Sequence, residues 1–218
     1  MRNKKVEEKT VEPLKTKEHI NRKLILKYLA ALELEYKTYG TYDDFVGRRY
    51  LIPDLFMDNK DYESIIRYKR WFDIKFPGDI GTLNMSFCLE IASHETGKVN
   101  DAKIYSVDTA FQNVFIHSIL LHKVDITSES FVNKDNLFRD AQHLINQYKK
   151  NISPSYIKWL AKFVDTKEYK ESVNEYINLN NILSQEINPL KRLELVERIT
   201  ALEAEYRTYI NFIISRVS

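Results

Sequence analysis

Leu83-Asn84-Met85-Ser86-Phe87-Cys88-Leu89-Glu90-Ile91-Ala92 alternates large apolar residues with small or polar ones over ten positions. Alternation of that length is the pattern of a strand with one face buried. The spacing therefore predicts a strand here, opened by the turn signal Pro77-Gly78. His94-Glu95-Thr96-Gly97-Lys98 reads as the next turn, and Lys103 to Asp108 as a partner strand. Phe111 to Val124 is apolar with a weak period. Helix and strand both stay open there, and the segment is read as buried against the small sheet.

On either side the period changes to that of helices. Ile20, Leu24, Tyr28, Leu32 and Tyr36 form one stripe of a helix over about 17–39, widened by Leu29 and Tyr39 and stopped by Gly40. Thr41 can cap a short helix carrying Asp43, Asp44 and Phe45, and Pro53 is expected to break any helix continuing beyond Tyr50. Another helix is expected over about 61–73. After Asn136 the chain is helical again, with Ser153-Pro154 and Asn188-Pro189 each reading as a cap followed by proline in the first turn.

The expected fold is α+β and predominantly helical, with helices at both ends and a small antiparallel sheet in the middle. Residues 1–16 are charged and lack aromatics, the composition of a flexible arm. Residues 17–126 form a helical subdomain with the sheet, and residues 127–218 a helical subdomain ending in a long helix.

Bulk composition excludes more than it assigns. The 218 residues include only five Gly and five Pro, which disfavours a many-turned sandwich or barrel. A net charge of +2 points to no nucleic acid or membrane by itself. Cys88 is the single cysteine, so no intrachain disulfide can form. No apolar leader or spanning segment is visible, and a cytoplasmic protein without membrane contact is expected. Richness in Lys, Asn, Ile and Tyr is a bias shared with AT-rich genomes, phages among them.

The chain repeats itself. Residues 31–39, ALELEYKTY, match residues 201–209, ALEAEYRTY, at seven of nine positions. Arg22/Arg192, Ile25/Leu195, Leu26/Val196 and Leu29/Ile199 extend the register outward. In the second copy Leu195, Ile199, Leu202, Tyr206, Tyr209 and Ile213 step by 4, 3, 4, 3 and 4 residues. That is a heptad-like, coiled-coil seam suited to another long helix. Leu32, Tyr36 and Tyr39 are the counterparts in the first copy. The copies could pair with each other, face a symmetric partner, or join two protomers into an oligomer. They could also be ordinary amphipathic helices in a biased alphabet, since Ala, Leu, Glu and Lys are all strong helix formers.

A winged-helix reading of residues 24–90 is the second candidate. Its third helix would carry Arg67, Lys69 and Arg70 to a nucleic acid, Arg48 and Arg49 would hold the backbone, and the alternating strand would form the wing. Asp43, Asp44, Asp54, Asp58 and Asp61 in the same region oppose it by repelling phosphates. Catalytic signals are absent. Pro53-Asp54 with Asp73-Ile74-Lys75 has only the bare spacing of a metal-dependent nuclease. His19, His94, His117, His122 and His143 show no ligand spacing, and there is no phosphate-binding loop or nucleophile elbow. No metal or cofactor is expected. The function expected is therefore a non-enzymatic protein–protein interaction or assembly protein acting through amphipathic helices, viral or phage in compositional character; the alternative is nucleic-acid binding.

Overall fold

The computed structural model describes residues 11–42, 44–123 and 134–217, with side chains outside the description for 11–16 and 206–217. Of the expected arm over 1–16, residues 1–10 lie outside the described residues, and 11–16 are the first residues of a helix expected to start near Lys17. The expected boundary near 127 also lies outside them. Every regular element described is a helix. The chain divides into two compact units, Met1–Gly81 and Thr82–Ser218.

The first unit holds α1 (Val11–Tyr39), α2 (Arg48–Asp58) and α3 (Tyr62–Lys75). α1 ends as its sequence dictates: Gly40 takes φ +72° and donates its N–H to the Tyr36 carbonyl at 2.8 Å. The next cap is Asp44 and not Thr41. Its two carboxylate oxygens accept the backbone N–H groups of Arg48 (2.8 Å) and Arg49 (3.0 Å). These are orphan donors of the first turn of α2.

Pro53 lies inside α2 and does not end it. A proline there leaves the carbonyl four residues earlier without its helical donor. That carbonyl is Arg49, and the buried Tyr68 hydroxyl of α3 donates to it at 2.8 Å. α3 replaces the missing bond, so the helix survives its proline. Ile52, Met57, Ile65 and Phe72 form the core of this unit, all fully buried.

The second unit contains α4 (Leu83–Glu95), α5 (Val99–Gln112), α6 (Ile116–Leu120), α7 (Lys134–Tyr148), α8 (Pro154–Phe163), α9 (Lys167–Gln185) and α10 (Pro189–Val217). The antiparallel sheet predicted for its start does not exist: both supposed strands are helices, and α4 and α5 pack as a hairpin. The reason is burial. Residues Met85 to Ser93 are buried without interruption, so α4 has no solvent face to impose a 3.6-residue period. The apparent polar face is enclosed too. Ser86 accepts from Gln112 Nε2 at 2.7 Å, Cys88 is buried, and Glu90 sits in a closed hydrogen-bond network. Composition agrees with the helix. Ile91 is the only β-branched residue between Leu83 and Ala92. Thr82, extended at φ −117°, caps the first turn through Met85 N–H.

Of the ambiguous stretch 111–124, the first two residues complete α5. Asn113 breaks the helix, accepting the Phe115 N–H at 3.0 Å and donating to the Leu137 carbonyl at 2.8 Å, and α6 comes next. Both expected cap-and-proline starts are present. Ser153 Oγ accepts from Tyr156 N–H before Pro154, and Asn188 Oδ1 accepts from Leu190 and Lys191 N–H around Pro189.

Candidate functional site

α10 runs 29 residues and packs along α9 and α5. The first half of its seam is used inside its own unit: Leu202 is 7% exposed, and Ile199 is half-buried, whereas Leu195 lies in the same register at the same helix face. Tyr206, Tyr209 and Ile213 continue the same helix, but their side chains lie outside the described residues.

The near-copy on α1 does equivalent work. Ile25 and Leu32, counterparts of Leu195 and Leu202, are buried in the first unit, where α1 packs on α2. Tyr36 stacks on Tyr42 with ring centroids 4.8 Å apart, and Lys75 Nζ lies 5.4 Å from its ring centre. Tyr39 stays exposed. Ile25/Leu195, Leu29/Ile199 and Leu32/Leu202 are thus packing positions within each unit, whereas Leu26 and Val196 are exposed.

The basic residues assigned to a nucleic acid do not form one free cationic face. Arg49 is locked between Asp79 (Nε to Oδ2, 3.0 Å) and Asp44, with its guanidinium over the Tyr50 and Phe76 rings. Arg48 pairs with Asp44 at 3.8 Å, Lys69 with Asp73, and Arg67 donates to Ser64 Oγ. Arg70 alone of the five has no partner among the described residues. The strand meant as the wing is α4. Burial works against ionisation of Asp79, yet the Tyr50 hydroxyl, the Gly81 N–H and Arg49 together hold its carboxyl below the usual range.

A second edge of the α9–α10 hairpin is open instead. Ile187 is 90% exposed, Leu190 72%, Leu193 56%, Val196 46% and Ile182 44%. Lys191, Glu194 and Glu197 accompany them and make no ion pair among the described residues. By contrast Arg198 joins Glu175 (2.7 Å) and Glu205 (3.7 Å), and Arg192 Nη1 donates to the Leu183 and Glu186 carbonyls at the end of α9. Sequence reasoning misses this edge because it tracks one seam. The signal is nonetheless present: Leu190 and Leu193, three apart, fall outside the Leu195–Ile199–Leu202 register.

The densest chemistry of the second unit is sealed. Glu90 is fully buried; its Oε1 accepts from Tyr156 OH (2.6 Å) and Ser106 Oγ (2.8 Å), and its Oε2 lies 3.1 Å from His117 Nε2. His117 Nδ1 lies 2.6 Å from Tyr169 OH. The two ring nitrogens of His117 thus bridge Glu90 Oε2 and the Tyr169 hydroxyl, while the Tyr156 and Ser106 hydroxyls share Oε1. Burial first, and then the Glu90 charge, push the Tyr156 hydroxyl well above its ordinary range. All five side chains are under 9% exposed, so the network ties helices together inside the unit.

Two cavities of the second unit bear on binding. One of about 690 Å³ is lined chiefly by Ile119, Leu120, Phe138, Ile145 and Ile152. The other, about 410 Å³, lies among α5, α7, α9 and α10 and is lined by side-chain amides, one guanidinium and an aromatic stack. No group of His, Cys, Asp and Glu suited to a metal ion occurs among the described residues, and none of the described helices is long and apolar enough to cross a membrane. Set against family models, characterised proteins and solved structures, the chain shows no match.

Proposed function

We propose that this is a non-enzymatic interaction protein, and that the open edge of the α9–α10 hairpin docks a basic amphipathic helix of a protein partner. The observation that carries the reading is the run of exposed Leu190, Leu193 and Val196 beside the carboxylates of Glu194 and Glu197, which make no ion pair among the described residues. Apolar side chains at helical spacing suit a helix laid alongside, and the two carboxylates select cations on its rim. Glu197 stands on the same helical face as Leu190 and Leu193. A second copy of this edge would therefore bring like charges together, which favours a different chain as occupant.

The test is titration with a labelled Leu/Lys helical peptide of about 18 residues, long enough for five turns, and with its Leu/Glu counterpart. Fluorescence anisotropy at two salt concentrations reads the binding. The reading expects the Leu/Lys peptide to bind, more weakly in high salt, and to lose about tenfold or more on Leu193→Asp. Equal binding of both peptides, or binding indifferent to Leu193→Asp, would overturn it. Concentration-dependent self-association that Leu193→Asp abolishes would assign the edge to a second copy instead.

A further inference from the structure

The 410 Å³ cavity differs from the open edge in every respect that governs recognition. One wall is the stacked pair Phe111 and Tyr176, with centroids 4.5 Å apart and planes 17° from parallel. The rest mixes amides with aliphatic side chains: Gln112 and Asn113 at the end of α5 and Asn180 and Asn181 on α9, beside Val114, Leu137 and Leu183. Some of their hydrogen-bonding capacity is committed. Asn113 is used on both sides, Gln112 Nε2 donates to Ser86 Oγ, and Asn180 Nδ2 donates to the Tyr176 carbonyl. The remaining capacity faces no competitor among the described residues. Gln112 Oε1 and Asn180 Oδ1 can still accept, and the Asn181 amide has no partner among the described residues.

Charge gives the cavity a direction. No acid lines it, and its only full charge is Arg192, which uses Nη1 on two carbonyls and keeps Nη2 and Nε for another acceptor. A ligand therefore meets a cation at the Arg192 end and amides beside the aromatic stack.

We propose that this cavity takes the carboxyl-terminal end of a peptide. The terminal carboxylate accepts from Arg192, and the preceding peptide groups pair with the amides of Gln112, Asn180 and Asn181. Side-chain amides carry a donor and an acceptor in the same geometry as a peptide bond, so they fit a backbone without selecting its sequence. One guanidinium with two free donor nitrogens matches one carboxylate; a polyphosphate would need more cations. The last side chain would lie on the Phe111–Tyr176 stack. These residues are not those of the open edge, so this site stands or falls separately from helix docking there.

The experiment uses the full chain, isotope-labelled, with N-acetyl-trialanine as the free acid and as its carboxamide. The free acid is expected to shift the side-chain resonances of Gln112, Asn181 and Arg192 in a saturable way. The carboxamide should bind at least about tenfold more weakly, the scale of a lost charge-assisted bond. Asn181→Leu, which removes an amide without a structural partner, should weaken the acid at least several-fold while leaving the spectrum of the rest of the unit unchanged. Equal affinity for acid and carboxamide, shifts confined to other residues, or no saturable shift at millimolar peptide would each overturn the proposal.

Discussion

Both units bury a carboxylate, and they satisfy it in opposite ways. Asp44 in the first unit has a fully buried side chain, and its oxygens accept from Arg48 and Arg49, four and five residues on. Glu90 in the second unit is equally buried but draws its donors from Ser106, His117 and Tyr156, which are 16, 27 and 66 residues away. The first is a local cap that starts a helix. The second cross-links α4, α5, α6 and α8, and through Tyr169 it reaches α9. A buried anion paired with backbone N–H groups orders one turn. One paired with side chains of distant helices sets how those helices are arranged, because each donor must arrive from its own direction.

The largest expected effect tests that contrast at its centre. Glu90→Ala removes the acceptor and strands the Tyr156 and Ser106 hydroxyls and the His117 ring away from solvent. The expected cost is about 3–5 kcal/mol, the range for breaking a buried charged network from one side. Urea denaturation monitored by circular dichroism measures it. Amide exchange should quicken in α4, α5, α6 and α8 together. A loss confined to α4 would contradict the cross-linking role.

Alkali attacks both units through their buried tyrosines. Burial comes first in raising Tyr68 and Tyr156 far above their ordinary range; Asp44 then adds to the first, and Glu90 to the second. Each stays protonated in the folded chain where the unfolded chain would ionise. The stability each contributes is complete below about pH 10 and declines above it, by about 1.4 kcal/mol per pH unit per tyrosine. Tyrosinate absorbance should therefore rise in two phases: exposed rings first, then the buried ones together with the loss of helicity. A single smooth titration of all 14 tyrosines without unfolding would contradict it.

The same contrast explains what is legible in the sequence. Local chemistry can be read directly. Gly40 stops α1, Asp61 caps α3 through Ser64, and Ser153-Pro154 and Asn188-Pro189 start α8 and α10. Sequence reasoning fails where a distant residue decides the outcome. Pro53 reads as a break because nothing near it shows that Tyr68 will serve the Arg49 carbonyl. Residues 83–92 read as a strand because their polar positions look solvent-facing; Glu90 is buried only because partners arrive from other helices. The candidate site is half visible. The seam through Ile199 and Leu202 is real packing, but it is used internally, and the exposed register through Leu190 and Leu193 depends on where α5 and α9 lie.

Asp44→Ala is the smaller counterpart of Glu90→Ala. It deprives two backbone N–H groups and Arg49 of an acceptor, but Arg49 keeps Asp79 and the Tyr50 and Phe76 rings. A cap of this type is worth about 1–2 kcal/mol, and the loss should lie near the upper end. Asp44→Asn should recover only part of it, because the Arg48 and Arg49 N–H groups use different carboxylate oxygens and an amide offers an acceptor on one side only. Glu90→Gln should recover more: its oxygen can take the Tyr156 and Ser106 hydroxyls, and its NH2 can donate to His117 Nε2 once the ring carries its proton on Nδ1 and donates to the Tyr169 oxygen. Equal recovery at the two sites, read from the same urea transitions, would erase the distinction between a cap held by fixed N–H groups and a cross-link held by adaptable side chains.

The smallest effect is expected from two hydroxyls that belong to neither network. Ser93 on α4 and Thr109 on α5 are fully buried, and their Oγ atoms have no hydrogen-bond partner among the described residues. Both lie in the hairpin that carries Glu90, whose carboxylate has three side-chain partners of its own. If burial of polar groups as such held this unit together, removing either hydroxyl would destabilise it. If satisfied bonds do so, an unsatisfied hydroxyl costs free energy, and Ser93→Ala or Thr109→Val should be neutral or raise stability by up to about 1 kcal/mol. Thermal melts of the two variants beside Glu90→Ala separate the alternatives. A loss of more than about 1 kcal/mol in either would mean that these hydroxyls hold the hairpin as Glu90 does.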